Sequence, residues 1–186
     1  RQGDSADLVS VFGGEFNFLE MRANFRGFYP LVQNEWLIFK YNGTIGRIQS
    51  TDGTVVPYIH RYRAGGINSV RGYDWFSLGP YIRASGYKGA GSNIFAGSDD
   101  PTSAEDRLVV GGTQTWINNF ELEIPIVPQA GISTVFFFDA GNSFGDPWGT
   151  GHINVSDLRM AYGFGVRWFS PMGPLRFEWG FPVNPR

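Results

Sequence analysis

Few side chains in this 186-residue sequence are placed to do chemistry. Arg71 stands out, set in the run Gly65-Gly66-Ile67-Asn68-Ser69-Val70-Arg71-Gly72-Tyr73. A guanidinium is permanently charged and presents five donors in a rigid fork, so it is most useful beside a carboxylate in a shielded place. Gly72 leaves the backbone free to turn sharply beside it, because glycine carries no steric penalty at positive φ. The plainer alternative is a surface arginine in a glycine-rich loop. Glu121 lies on the polar face of an alternating segment, two residues before Glu123, and Asp139 precedes Ala140-Gly141. Asp139 alone also reads as a turn residue before glycine.

Covalent chemistry finds little support. Glu121 and Glu123 could imitate a carboxylate pair, but no other residue type completes such a site. His60 and His152 are the only histidines and lack metal-ligand spacing. Ser69 has no nucleophile elbow around it. Gly111-Gly112 and Gly163-x-Gly165 precede no helix and so are not phosphate loops. Asp99, Asp100, Glu105 and Asp106 lack EF-hand spacing and read as a solvated loop tip. The expectation is a protein with no catalytic, cofactor or metal residues.

Composition narrows the class. Charged residues make up 17%, aromatics another 17%, and there are 26 glycines and no cysteine. The net charge of -2 leaves no basic footprint for nucleic acid. Without cysteine there is no disulfide framework or thiolate metal site. No apolar run approaches the roughly 18 residues of a membrane helix. The polar start, with neither Met nor an apolar leader, reads as a piece of a longer protein.

The elements that would position Arg71 alternate with period two. Leu19, Met21, Ala23 and Phe25 oppose Glu20, Arg22, Asn24 and Arg26. Leu37, Phe39, Tyr41, Gly43 and Ile45 oppose Lys40, Asn42 and Thr44, and Thr51 to Thr54 reads as a turn or loop tip. Phe120, Leu122 and Ile124 oppose Asn119, Glu121 and Glu123. Residues 131–140 form the most apolar segment, with Asp139 at its end, and 142–157 a polar loop. Leu158, Met160, Tyr162, Phe164, Val166 and Trp168 oppose Arg159, Ala161, Gly163, Gly165 and Arg167, whose small residues suit a wet lumen. In the last hairpin Leu175, Phe177, Trp179 and Phe181 oppose Arg176 and Glu178. Counting Leu8–Phe12, the pattern predicts about seven antiparallel strands and no helix.

Short connections near 30–34, 125–131 and 171–174 alternate with long polar ones over 49–112 and 142–157. Membrane barrels differ at their two ends in this way, and a soluble sandwich has no reason to. Aromatics crowd the strand ends, as at a lipid interface. Phe164, Val166, Trp168, Phe177 and Trp179 are expected to face lipid, and Arg167, Arg176 and Glu178 the lumen.

These residues resemble one family, the outer-membrane protein assembly factors (BamA and relatives). The resemblance rests on Val70-Arg71-Gly72-Tyr73 after Ala64-Gly65-Gly66, on Phe137-Phe138-Asp139-Ala140-Gly141, on Glu121-Leu122-Glu123-Ile124-Pro125, and on the hairpin from Met160 to Phe177. It implies an all-β, antiparallel transmembrane β-barrel in the bacterial outer membrane, of sixteen strands in the whole protein. Residues 1–186 would be its C-terminal part, about strands nine to fifteen. The long loop 49–112, carrying the motif over 64–73, would fold into the lumen. There Arg71 would pair with Asp139 and Glu121. The implied activity is folding and inserting barrel proteins, with unfolded outer-membrane clients, accessory assembly lipoproteins and the lipid bilayer as partners. A polypeptide secretion pore of the two-partner type shares the motif, and a small structural barrel is a third alternative.

Overall fold

The structure is a computed structural model that describes residues 17–32, 36–83, 107–146 and 151–183. Six long strands form one antiparallel sheet. They are β1 (Phe18–Pro30), β2 (Ile38–Ser50), β5 (Gln114–Val127), β6 (Ile132–Phe144), β7 (Arg159–Ser170) and β8 (Gly173–Pro182), adjacent in the order β1-β2-β5-β6-β7-β8. The short strands β3 (Tyr81–Arg83) and β4 (Arg107–Val109) pair separately within the long β2–β5 connection. Leu8–Phe12 and the acidic residues 99–106 lie outside the described residues.

Period-two alternation sorts the sheet into two faces. One face exposes Leu19, Met21, Phe25, Ile45, Phe120, Leu122, Phe136, Phe138, Tyr162, Phe164, Val166, Trp168, Phe177 and Trp179. Cross-strand aromatic contacts tie this face together, including Phe164–Trp179 with ring centroids 5.5 Å apart. Such a continuous apolar band is a lipid-facing surface, and no helix among the described residues is long and apolar enough to cross a membrane. The opposite face carries Arg167, Glu178, Glu121, Glu123 and Lys40, together with Arg176, which lies opposite Arg167 in the β7–β8 register. Among the described residues β1 and β8 are open edges. Open edges are not tolerated in hydrocarbon, so this sheet is part of a closed wall.

The short connections follow from local chemistry. Pro128–Ala130 makes one 3-10 turn that Gly131 ends in the left-handed region at φ 67°. Gly173, at φ 129°, closes the β7–β8 hairpin. At the tip after β2, Thr54 donates its hydroxyl and its backbone N–H to Asp52, which lowers that carboxyl's pKa below the usual range. The β2–β5 connection then packs against the inner face. Tyr62 exchanges backbone hydrogen bonds with Gly112 and donates its hydroxyl to Glu20 on β1 at 2.8 Å.

Two expectations need correction. Asp139 does not end its strand: β6 continues to Phe144, and Asp139 sits in mid-sheet opposite Asn119 and Ala161. Gly141 is a strand residue that lets β5 approach, since a Cβ there would meet Ile117 Cα at 2.9 Å. The small residues of β7 do not line open water either. Ala161, Gly163 and Gly165 are buried, and a Cβ on Gly163 would collide with the Phe137 ring and the Trp179 carbonyl. Ala161 packs with Val70 of the loop, Gly163 makes room for Phe137, and a Cβ on Gly165 would meet Glu178 and the Phe177 carbonyl of β8.

Candidate functional site

The motif reaches the wall as a tightly folded turn. Ala64 and Leu78 exchange backbone hydrogen bonds across its neck, Gly66 N–H donates to the Tyr73 carbonyl at 3.0 Å, and Gly65 N–H donates to Ser69 Oγ at 2.8 Å. Gly65, Gly66 and Gly72 have φ of 102°, 92° and 85°, which a side chain rarely tolerates. Val70 is fully buried in a small core with Ala64, Leu78, Ile117 and Ala161, against which Tyr73 packs. Tyr73 also donates its hydroxyl to the Met160 carbonyl at 3.2 Å. With Val70 and Tyr73 so anchored, Arg71 points into the wall.

Arg71 is 6% exposed and Asp139 0%. Arg71 Nε donates to Asp139 Oδ2 at 2.7 Å and Nη2 donates to Oδ1 at 2.7 Å, a two-point contact. Its backbone N–H adds a third bond to Oδ2 at 3.0 Å. Nη1 turns the other way, donating to Glu121 Oε1 at 2.6 Å and Glu178 Oε2 at 3.2 Å. The guanidinium carbon lies 3.6 Å from the centroid of the Phe137 ring, a desolvated cation–π contact. Asn119 donates to both Asp139 Oδ1 (2.8 Å) and the Ser69 carbonyl (2.6 Å), tying the carboxylate to the loop backbone.

The turn's backbone also touches β8 directly. A Cβ on Gly180 would stand 2.6 Å from Gly72 N, and one on Gly72 would stand 2.9 Å from the Gly180 carbonyl carbon. Glycine on both sides is what lets the motif lie flat on the strand.

Behind this contact is a larger ionic network. Arg167 on β7 donates to Glu121, Glu123 and Glu178, and Lys40 on β2 donates to Glu123 at 2.6 Å. The structure thus brings together Val70, Arg71, Gly72, Tyr73, Asp139 and Glu121 in one cluster, of which Val70, Arg71 and Asp139 are buried. Sequence reasoning placed Arg167 and Glu178 on this face without joining them to Arg71, and gave Asn119 no role. Their shared strand parity was the available signal. Phe137 was hidden because Phe136, Phe137 and Phe138 are alike and only one of them points inward. No group of metal-ligating side chains occurs among the described residues.

A lipid-faced antiparallel sheet with a long loop ion-paired to its inner face defines an outer-membrane β-barrel with a lumenal loop. The chain belongs to the Omp85 superfamily, whose domain matches residues 3–186. That membership places it in the bacterial outer membrane. It is 30% identical over 173 residues to the outer membrane protein assembly factor BamA of Nitratidesulfovibrio vulgaris, covering 92% of this chain and 19% of the relative. It is 24% identical to the BamA of Neisseria meningitidis serogroup B, covering 96% of this chain and 23% of that protein. The chain therefore spans about a fifth of the length of these relatives. The crystal structure of BamA from Haemophilus ducreyi lacking POTRA domains 1–3 shares the fold at a TM-score of 0.72 and 23% identity, over 94% of this chain and 33% of that one.

Proposed function

We propose that this chain is the loop-bearing C-terminal part of the barrel of an outer-membrane protein assembly factor, which folds and inserts unfolded barrel proteins without covalent chemistry. The observation that carries the reading is the buried Arg71–Asp139 contact, with Nε and Nη2 each 2.7 Å from a carboxylate oxygen. It fixes the loop inside the wall, where the loop can shape the lumen and brace β8. The two relatives named as assembly factors support the same reading. Asp139 is buried and charged, and such a group is costly unless paired, so a pair in this position restrains the loop strongly.

The test is reconstitution of the full-length protein in proteoliposomes with an unfolded barrel client. Arg71→Ala should leave the barrel folded and slow client insertion at least about tenfold, a modest share of the roughly 3–5 kcal/mol that breaking a buried pair costs in loop docking. Insertion at the wild-type rate, with secretion of a single partner polypeptide instead lost, would favour the secretion pore.

A further inference from the structure

Arg167 shares two of its carboxylates with Arg71, and the sharing is the informative feature. Arg167 Nε and Nη2 both donate to Glu178 Oε1, at 3.0 and 2.7 Å. Nη1 and Nη2 donate to the two oxygens of Glu121, each at 2.8 Å, and Nη1 also reaches Glu123 Oε2 at 3.3 Å. All five donors of the fork end on glutamates. The side chain starts on β7 and reaches β5 across β6. On β6, Ser133 lies opposite Arg167 and Val135 opposite Glu123, both buried beneath its path.

The two arginines then differ in kind. Arg167 sits on a strand and stays with the wall whatever the loop does. Arg71 belongs to the loop. Glu121 Oε1 accepts from both, and Glu178 gives Oε1 to Arg167 and Oε2 to Arg71. If the loop leaves, Glu121 and Glu178 keep their bonds to Arg167. Asp139 has no such reserve: besides Arg71, only Asn119 donates a side-chain hydrogen bond to it among the bonds described. Arg167 is also a like charge competing with Arg71 for the same anions, which lowers what those glutamates add to loop docking.

We propose that Arg167 is the resident counter-ion of the carboxylate cage, sharing Glu121 and Glu178 with Arg71 so that, of Arg71's three carboxylates, Asp139 sets the ionic hold on the loop and the loop can leave without stranding the glutamates. Arg167 acts through the glutamates and is a positioning residue. Its role is read from loop docking, so it stands or falls separately from client insertion.

The probe is Ala64→Cys in the otherwise cysteine-free chain, within the full-length protein in native-like membranes. Ala64, in the neck of the loop, is fully buried against the wall when the loop is docked, so the rate of maleimide labelling reports release. With Arg167 present, Asp139→Asn should speed labelling more than about tenfold, as for a broken buried pair, while Glu121→Gln or Glu178→Gln changes it no more than about threefold. With Arg167→Gln, Arg71 becomes the sole arginine on both glutamates. Labelling should then slow relative to wild type, and Glu121→Gln should now speed it about tenfold. Arg167→Lys keeps the charge without the fork and should lie between the two. Heat-modifiability on a gel monitors folding of each variant. If Arg167→Gln does not fold, the comparison of Asp139→Asn with Glu121→Gln and Glu178→Gln in the Arg167 protein still decides. Equal effects of the three neutralisations, or a Glu121→Gln effect unchanged by Arg167→Gln, would overturn the proposal.

Discussion

Arg71 and Asp139 meet through three hydrogen bonds, two from the guanidinium at 2.7 Å and one from the Arg71 backbone N–H at 3.0 Å. Side chain and backbone of one residue therefore close on a single carboxylate that is 0% exposed. Lysine could supply the charge but neither the two-point geometry nor the stacking on Phe137. Arg71→Lys should accordingly recover only part of what Arg71→Ala loses. The alanine variant should cost about 3–5 kcal/mol of loop docking. Maleimide labelling of Ala64→Cys measures both, and equal rates for the lysine variant and wild type would mean that charge alone holds the loop.

Gly180 tests the loop without touching an ionic group. A side chain there meets the Gly72 nitrogen and the Arg71 carbonyl carbon, backbone atoms that cannot swing aside. Gly180→Val should lift the motif from β8 at a cost of about 1–3 kcal/mol, the usual range for overpacking. Limited proteolysis of the loop should show faster cleavage, with the barrel still heat-modifiable. Unchanged cleavage would place the motif off β8.

Phe137 separates ring electrostatics from volume. Phe137→Leu roughly keeps the space beneath the guanidinium and removes the π face. It should weaken loop docking by about 1–2 kcal/mol, through the lost desolvated cation–π contact. Phe137→Tyr, which keeps the face, should dock more tightly than Phe137→Leu. The same labelling assay compares them, and identical rates would remove the ring from the account.

The outer face gives an independent check on register. Val166 points outward near the middle of β7 and pairs with Thr134 and Phe177. Val166→Arg should destabilise the folded barrel by about 2–4 kcal/mol if it lies near the bilayer midplane. Denaturant titration in lipid vesicles reads this directly. A neutral effect would show that this face does not meet lipid.

The strands, their two faces and the alternation of short and long connections were legible in the sequence because each rests on period-two patterning and turn residues. The lipid-facing expectation for Phe164, Val166, Trp168, Phe177 and Trp179 agrees with their exposure on the outer face. Strand ends were less legible. Ala140-Gly141 looks like a turn, yet Gly141 is held in β6 because the neighbouring strand packs where its side chain would be. Gly163 looks like a residue facing water, and in fact makes room for Phe137. Both errors share a cause: a glycine's local freedom is visible in sequence, whereas the atom that fills its space comes from another strand. For the same reason the shared glutamates of Arg71 and Arg167 could not be read from any single segment.

The most direct measurement is a double-mutant cycle between Arg71 and Asp139 in the full-length protein, with Ala64→Cys labelling as the readout of loop docking. Arg71→Ala and Asp139→Asn each remove one side of the buried pair, and the double variant removes both. A direct pair predicts that the double variant labels no faster than the worse single, with a coupling of at least about 2 kcal/mol. Effects that simply add, to within about 0.5 kcal/mol, would contradict the claim that this pair holds the loop in the lumen.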